Sequence, residues 1–265
     1  MERPLPTRPA IRPNPDNWEI WIALALGCLA VAGYVIAGWG APTVYDYYGR
    51  LADAFVHGRY WLLDDPAWLN ELLSCGDGKW CVAYPPLPAI LSIPLLPFGT
   101  ATAQDLVSQL CGGASAGVLY LALRAYGAPR WVAVTGTLLS AFGTTLLFSS
   151  ADGRAWYAAH AVAMLFTTIA FQVAARGGPA WWVGVAIGLA ALARLPVAAA
   201  TPALALLVAR RGNTSFRAAG TLSASAISGA TSSMQLKARL CIPSPKIVIG
   251  WPCRIWFMKI PITLR

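Results

Sequence analysis

The side chains able to do chemistry are few and unevenly placed. Six of the 11 acids, Asp46, Asp53, Asp64, Asp65, Glu71 and Asp77, fall between residues 40 and 82. A carboxylate can take up a proton in general base catalysis. Thr43 and Asp46 also form a Thr-x-x-Asp pattern, which caps helix starts, so Asp46 has a structural reading beside a chemical one. Asp152 precedes Gly153, a pairing common in turns. Arg194 is the one charge between Arg176 and Arg210, and an arginine in so apolar a run needs a partner or a route to water. His160 sits inside another apolar run, where a polar group is either functional or bonded between helices. Cys75 and Cys81 flank a Gly-Asp-Gly turn and could pair on an oxidising side, within the tight geometry of a short loop. No Gly-rich phosphate loop, zinc spacing or Ser-His-Asp arrangement is present.

The elements that must hold these residues are set by composition. Hydrophobic residues make up 57% and charged residues 12%, against roughly 25% charged in soluble domains. The charges lie between long uncharged runs without strand alternation, so all-α membrane crossings are expected rather than a barrel. The net charge of +9 comes from arginines scattered at the ends of apolar runs, as topology signals and headgroup anchors. There is no basic stripe with interleaved aromatics, so nucleic-acid binding is not expected.

Residues 1–17 are Pro-rich, carry Arg3, Arg8 and Arg12, and read as a disordered cytoplasmic tail. The run from Trp18 to Trp39 is the first crossing. A cleaved signal peptide is disfavoured by its length and by Trp39, where small residues are needed. Residues 40–82 form an outer loop. Within it Val44, Tyr47, Tyr48, Leu51 and Phe55 fall at helical spacing, an amphipathic helix along the membrane surface. Residues 83–99 are apolar but broken by Pro85, Pro86, Pro88, Pro94 and Pro97.

Further apolar runs follow at 106–123, 131–149, 155–175, 180–193 and 195–209. Their connections carry Arg124 with Arg130, then Arg176, then Arg210 with Arg211. If residues 83–99 stay at the interface, all three basic connections fall inside, as the positive-inside tendency requires. That gives a polytopic protein of about six transmembrane helices with its N-terminus cytoplasmic. Asp152 and Arg194 then lie on the outer side. Gly184 and Gly188 suggest close helix packing. From residue 212 the chain turns rich in Ser, Thr, Ala and Gly, and three of the four lysines follow. Residues 212–265 read as a weakly ordered tail, with a frameshift or truncation as one explanation.

Four stretches, DYYGRLADAFVHGRY (46–60), WCVAYPPLPAILSIPLLPFG (80–99), SADGRAWYAAH (150–160) and GLAALARLPVAAATPALALL (188–207), together resemble the GT-C superfamily of lipid-linked-sugar glycosyltransferases. That group includes the protein O-mannosyltransferases and aminoarabinose transferases. In it an acid follows the first crossing in a juxtamembrane helix, a Pro-Pro motif opens a second one ending near Phe-Gly, and a later crossing ends in Leu-Thr-Arg/Lys before Gly or Pro. Here that last motif is Leu192-Ala193-Arg194-Leu195-Pro196, with Ala for Thr and one added Leu. The resemblance covers roughly residues 18–211, and family members continue with further crossings.

The resemblance implies a membrane glycosyltransferase of the cytoplasmic membrane. It would move a sugar from a polyprenyl-phosphate donor to an acceptor hydroxyl or amine at the outer face, the acceptor being a glycan, lipid or protein. Asp46 would be the general base, with Asp53 as the alternative acid. Arg194 would meet the donor phosphate, for which a guanidinium fork is suited. Asp152 would bind acceptor or a divalent metal. His160, Arg50, Lys79 and Tyr84 are further substrate-binding candidates, against readings as helix contact, solvated loop charges and a loop-shaping residue before Pro85. A transporter or non-catalytic membrane component is the rival function. It is disfavoured because no inverted repeat is seen and the polar groups cluster in one loop.

Overall fold

A computed structural model describes residues 16–40 and 44–210. The expected tails, 1–17 and 212–265, fall outside the described residues except for Asp16 and Asn17, and so does Thr43. The architecture is helical. In chain order it has α1 (Asn17–Ala37), α2 (Tyr47–Val56), β1 (Leu72–Ser74), β2 (Trp80–Val82) and α3 (Leu87–Ser92). After a 3-10 segment (Ile93–Phe98) come α4 (Thr100–Ala125), α5 (Arg130–Phe142), α6 (Thr145–Ala151), α7 (Ala155–Ala175) and α8 (Ala180–Ala193). A second 3-10 segment (Leu195–Ala200) leads into α9 (Thr201–Arg210).

Among the described residues three helices, α1, α4 and α7, are long and apolar enough to cross a membrane, or up to four if the bent pair α5–α6 counts as one span. The 131–149 run divides there because Gly143 ends α5 and Thr144 opens α6, its hydroxyl accepting from the Leu146 N–H at 3.2 Å. An N-cap of this kind restarts a helix after a break, and the two axes differ by 55°. The runs at 180–193 and 195–209 form shorter apolar helices.

Of the long helices, α1 runs antiparallel to α4 and α7, which run parallel to each other, and the two ends of the bundle are fixed by named contacts. At one end Glu19 of α1 is buried against Tyr120 and Arg124 of α4 and Arg130 of α5. Tyr126, just past α4, stacks on Phe171 near the end of α7. Arg124, Arg130 and Arg176 therefore gather at this end. At the other end lie the close of α1, the starts of α4 and α7, and the turn after α8. The middle is built on small residues. Cβ atoms added at Gly27, Gly113 and Gly117 would lie 3.1, 2.8 and 2.7 Å from the carbonyl oxygens of Gly113, Gly27 and Ala23, so α1 and α4 meet backbone to backbone, as small-residue interfaces allow. The packing expected at Gly184 and Gly188 differs: a Cβ at Gly188 would meet nothing within 4 Å.

Residues 40–82 are not wholly irregular. β1 and β2 pair antiparallel in the register Leu72↔Val82 and Ser74↔Trp80. Gly76, Asp77 and Gly78 all take positive φ in the connecting turn, a conformation glycine adopts without steric cost. The helix expected along the membrane surface turns its apolar face onto protein. Tyr47, Tyr48 and Leu51 of α2 are buried in a cluster with Ala89 of α3 and Ala155, Ala158 and Ala159 of α7. The Pro-rich stretch 83–99 forms only α3 and the following 3-10 segment, which Pro94 and Pro97 keep short by removing backbone donors.

Candidate functional site

Asp46 immediately precedes α2 at the N-cap position, yet its side chain caps nothing. Its two oxygens each accept from Arg50 Nε at 3.0 Å, one turn along the helix. Oδ2 also accepts from the Thr100 hydroxyl at 3.3 Å. Thr100 is the first residue of α4, so the carboxylate lies where two helix starts meet. The residue is only 5% exposed. The capping role suggested by Thr-x-x-Asp therefore gives way to an ion pair. Arg50 continues through Nη1 to Asp64 at 2.9 Å, with its guanidinium over the Trp68 ring.

A pocket of about 260 Å³ opens beside this pair, lined by Arg50, Asp53, Arg59, Trp61, Leu62, Asp64 and Thr100 among others. Four of its nine lining residues are charged, set among apolar ones. Asp53 faces it from α2, half exposed and 3.6 Å from His57. Of the two acids singled out on this helix, Asp46 is buried and bonded while Asp53 is open to solvent. Arg59 forms no ion pair among the described residues, so its charge is available to a ligand.

The other candidates lie around an aromatic wall next to Asp46. Tyr45 packs on Trp156 with ring centroids 5.2 Å apart, and Tyr84 packs edge-on against Tyr47 at 5.3 Å and Trp156 at 6.5 Å. Arg194 follows α8 in extended conformation, and its Nη1 donates to the Trp156 carbonyl at 3.3 Å. Among the described residues it has no carboxylate partner. Arg194 lies within electrostatic reach of Tyr48 and His160, and the His160 side chain is exposed on α7. Burial pushes the Tyr48 hydroxyl up from its usual range, with the Arg194 charge opposing. That hydroxyl is buried without a hydrogen-bond partner among the described residues.

Asp152 ends α6, accepts from the Arg154 N–H at 3.2 Å and pairs with Arg154 Nε at 3.3 Å. This is the turn geometry expected of Asp-Gly. Among the described residues no three His, Cys, Asp or Glu side chains converge as a metal-binding group. Asp152 and its surroundings thus do not supply a cation cage. Lys79 sits on the hairpin over the Trp61 ring at 5.1 Å and 3.8 Å from Asp77. Cys75 and Cys81 form a disulfide, with Cα atoms 5.9 Å apart. The hairpin they close also backs the pocket, because Leu62 and Trp80 exchange backbone hydrogen bonds at 2.7 and 3.1 Å.

Three contributors are invisible to motif reading: Thr100, Arg59 and Gln104. Gln104 is fully buried and bonded to the backbone on both sides of Asp46. Its one sequence signal is that it precedes Asp105, the one charge between Lys79 and Arg124. No family model, curated protein or solved structure matches the chain.

Proposed function

We propose that the chain is a multi-pass protein of the cytoplasmic membrane that transfers a sugar from a polyprenyl-phosphate donor to an acceptor hydroxyl or amine at the outer face. The chain would pass the bilayer about six times, with its N-terminus inside. Gathering Arg124, Arg130 and Arg176 at the end opposite Asp46 supports that orientation. The observation that carries the reaction is the buried Asp46 carboxylate, which is bonded to Arg50 and Thr100, two residues that line the neighbouring pocket.

In this reaction Asp46 takes the acceptor's proton as general base. The freed oxygen or nitrogen bonds to the anomeric carbon, whose bond to the phosphate oxygen breaks. Polyprenyl phosphate leaves with the electron pair. Arg50, Arg59 and Arg194 are the cations available to the phosphate, and Trp61 offers a ring face to the sugar.

The test is transfer of label from a polyprenyl-phosphate sugar in membranes carrying the wild type or Asp46→Asn. A fall of about a hundredfold or more is expected for loss of a general base. Equal transfer by both would remove Asp46 from the reaction. An inert wild type, folded and supplied with donor, would favour the non-catalytic reading instead.

A further inference from the structure

Gln104 sits in the first turns of α4 and is fully buried. Its oxygen accepts from the N–H groups of Tyr48 and Gly49 at 2.8 and 3.4 Å. Its nitrogen donates to the carbonyls of Tyr45 at 2.9 Å and Gly153 at 2.6 Å. A carboxamide has two donor hydrogens and an oxygen with two lone pairs, so this one amide is fully used. Tyr48 and Gly49 are in the first turn of α2, where N–H groups lack helical partners. The capping that an N-cap side chain normally performs thus comes from a different helix. Asp46, at the cap position, is left free to meet Arg50 and Thr100. On its other edge the same amide holds Gly153, next to Asp152.

We propose that Gln104 is a positioning residue that locks the Asp46 turn and the Asp152 turn into one fixed arrangement. Two further contacts tighten the same junction. A Cβ at Gly153 would collide with the Asp105 side chain, and one at Gly49 with the Thr100 carbonyl. The clamp rests on the proposed transfer reaction for its purpose, but its geometry can be tested without it. Gln104→Leu removes all four bonds. Gln104→Glu keeps the acceptor side and sets a second oxygen against the Tyr45 and Gly153 carbonyls.

The experiment is hydrogen exchange on the full chain in detergent micelles, run beside transfer kinetics. In Gln104→Leu, exchange at the Tyr48, Gly49 and Arg154 amides should rise together by about tenfold or more, with the α4 and α7 midsections unchanged. Transfer should lose about tenfold to a hundredfold in kcat, with the donor KM within about twofold of wild type. Gln104→Glu should fall between the two, and it carries the test if the leucine variant does not fold. Loosening of one turn alone, or loosening of both with kcat unchanged, overturns the proposal. If the wild type transfers nothing, the reaction reading fails by itself and the paired exchange result still decides the clamp.

Discussion

Arg50 places Nε 3.0 Å from each oxygen of Asp46 and Nη1 2.9 Å from Asp64. One guanidinium therefore spans the gap between α2 and the loop that walls the pocket. In the proposed reaction a base held this way would exchange its partner for substrate, and a donor phosphate entering the pocket would compete for the arginine.

That competition makes Arg50→Lys informative. An ammonium keeps the charge but loses the planar fork, so it cannot serve Asp46 and Asp64 together. Transfer is expected to fall by about tenfold, mainly through a higher donor KM. Initial rates over a range of donor concentrations read this directly.

Two glycines should respond in opposite senses to alanine. Gly49→Ala pushes α2 off the Thr100 backbone and is expected to cost about 1–3 kcal/mol, as overpacking does. Gly188→Ala enters open space within α8 and should gain up to about 1 kcal/mol from helix propensity. Thermal unfolding of both variants in the same detergent checks the pair.

Glu19→Ala leaves the largely buried Arg124 without its carboxylate. Removing one member of a buried pair costs about 3–5 kcal/mol. Part of that loss should return in the double variant Glu19→Ala with Arg124→Leu, measured as a double-mutant cycle in unfolding midpoints.

Tyr48 bears on alkaline stability. Burial raises its folded-state pKa, so the fold favours the protonated hydroxyl. The stability tied to that proton is fully present below the unfolded value of about 10. It is lost as pH rises beyond it towards the folded value. Tyr48→Phe removes both this titration and an unpartnered buried hydroxyl. Its midpoint at pH 7 should match or exceed wild type, by up to about 1 kcal/mol, and the alkaline decline should be shallower. Unfolding curves across the alkaline range compare the two slopes.

Cys75 and Cys81 close a short loop, for which a disulfide contributes about 2 kcal/mol on the chain-entropy scale. Serine at both positions should make residues 59–82 more sensitive to protease while the bundle stays intact. The cleavage pattern with and without reductant tests this.

The long helices were legible because α1, α4 and α7 are written as continuous apolar runs. The break at Gly143 was not, since a glycine followed by a threonine is tolerated in many straight helices and only Thr144's hydrogen bond turns it into a restart. Glu19 stands in no motif that would mark it. Its partners lie more than a hundred positions away, beyond any local pattern. Asp46 was visible by its place in the chain, but its carboxylate's freedom from capping depends on Gln104, which sequence spacing does not connect to α2. Gly188 of the pair at 184 and 188 has nothing opposite it within 4 Å, whereas Gly113 and Gly117 meet backbone in α1.

The Glu19 cluster also sets an order of assembly. α1 is synthesised carrying a carboxylate whose partners, Tyr120, Arg124 and Arg130, do not yet exist. Until α4 and the start of α5 are made, the first helix holds a charge without the partners it has in the fold. Arg124 and Arg130 in turn precede closure of the bundle as bare cations, the form in which the proposed orientation would use them. Their charge is then partly discharged on Glu19 once the bundle closes. The same arginines thus latch α1 to α4 and α5, and under the proposed orientation they would first have served as its address.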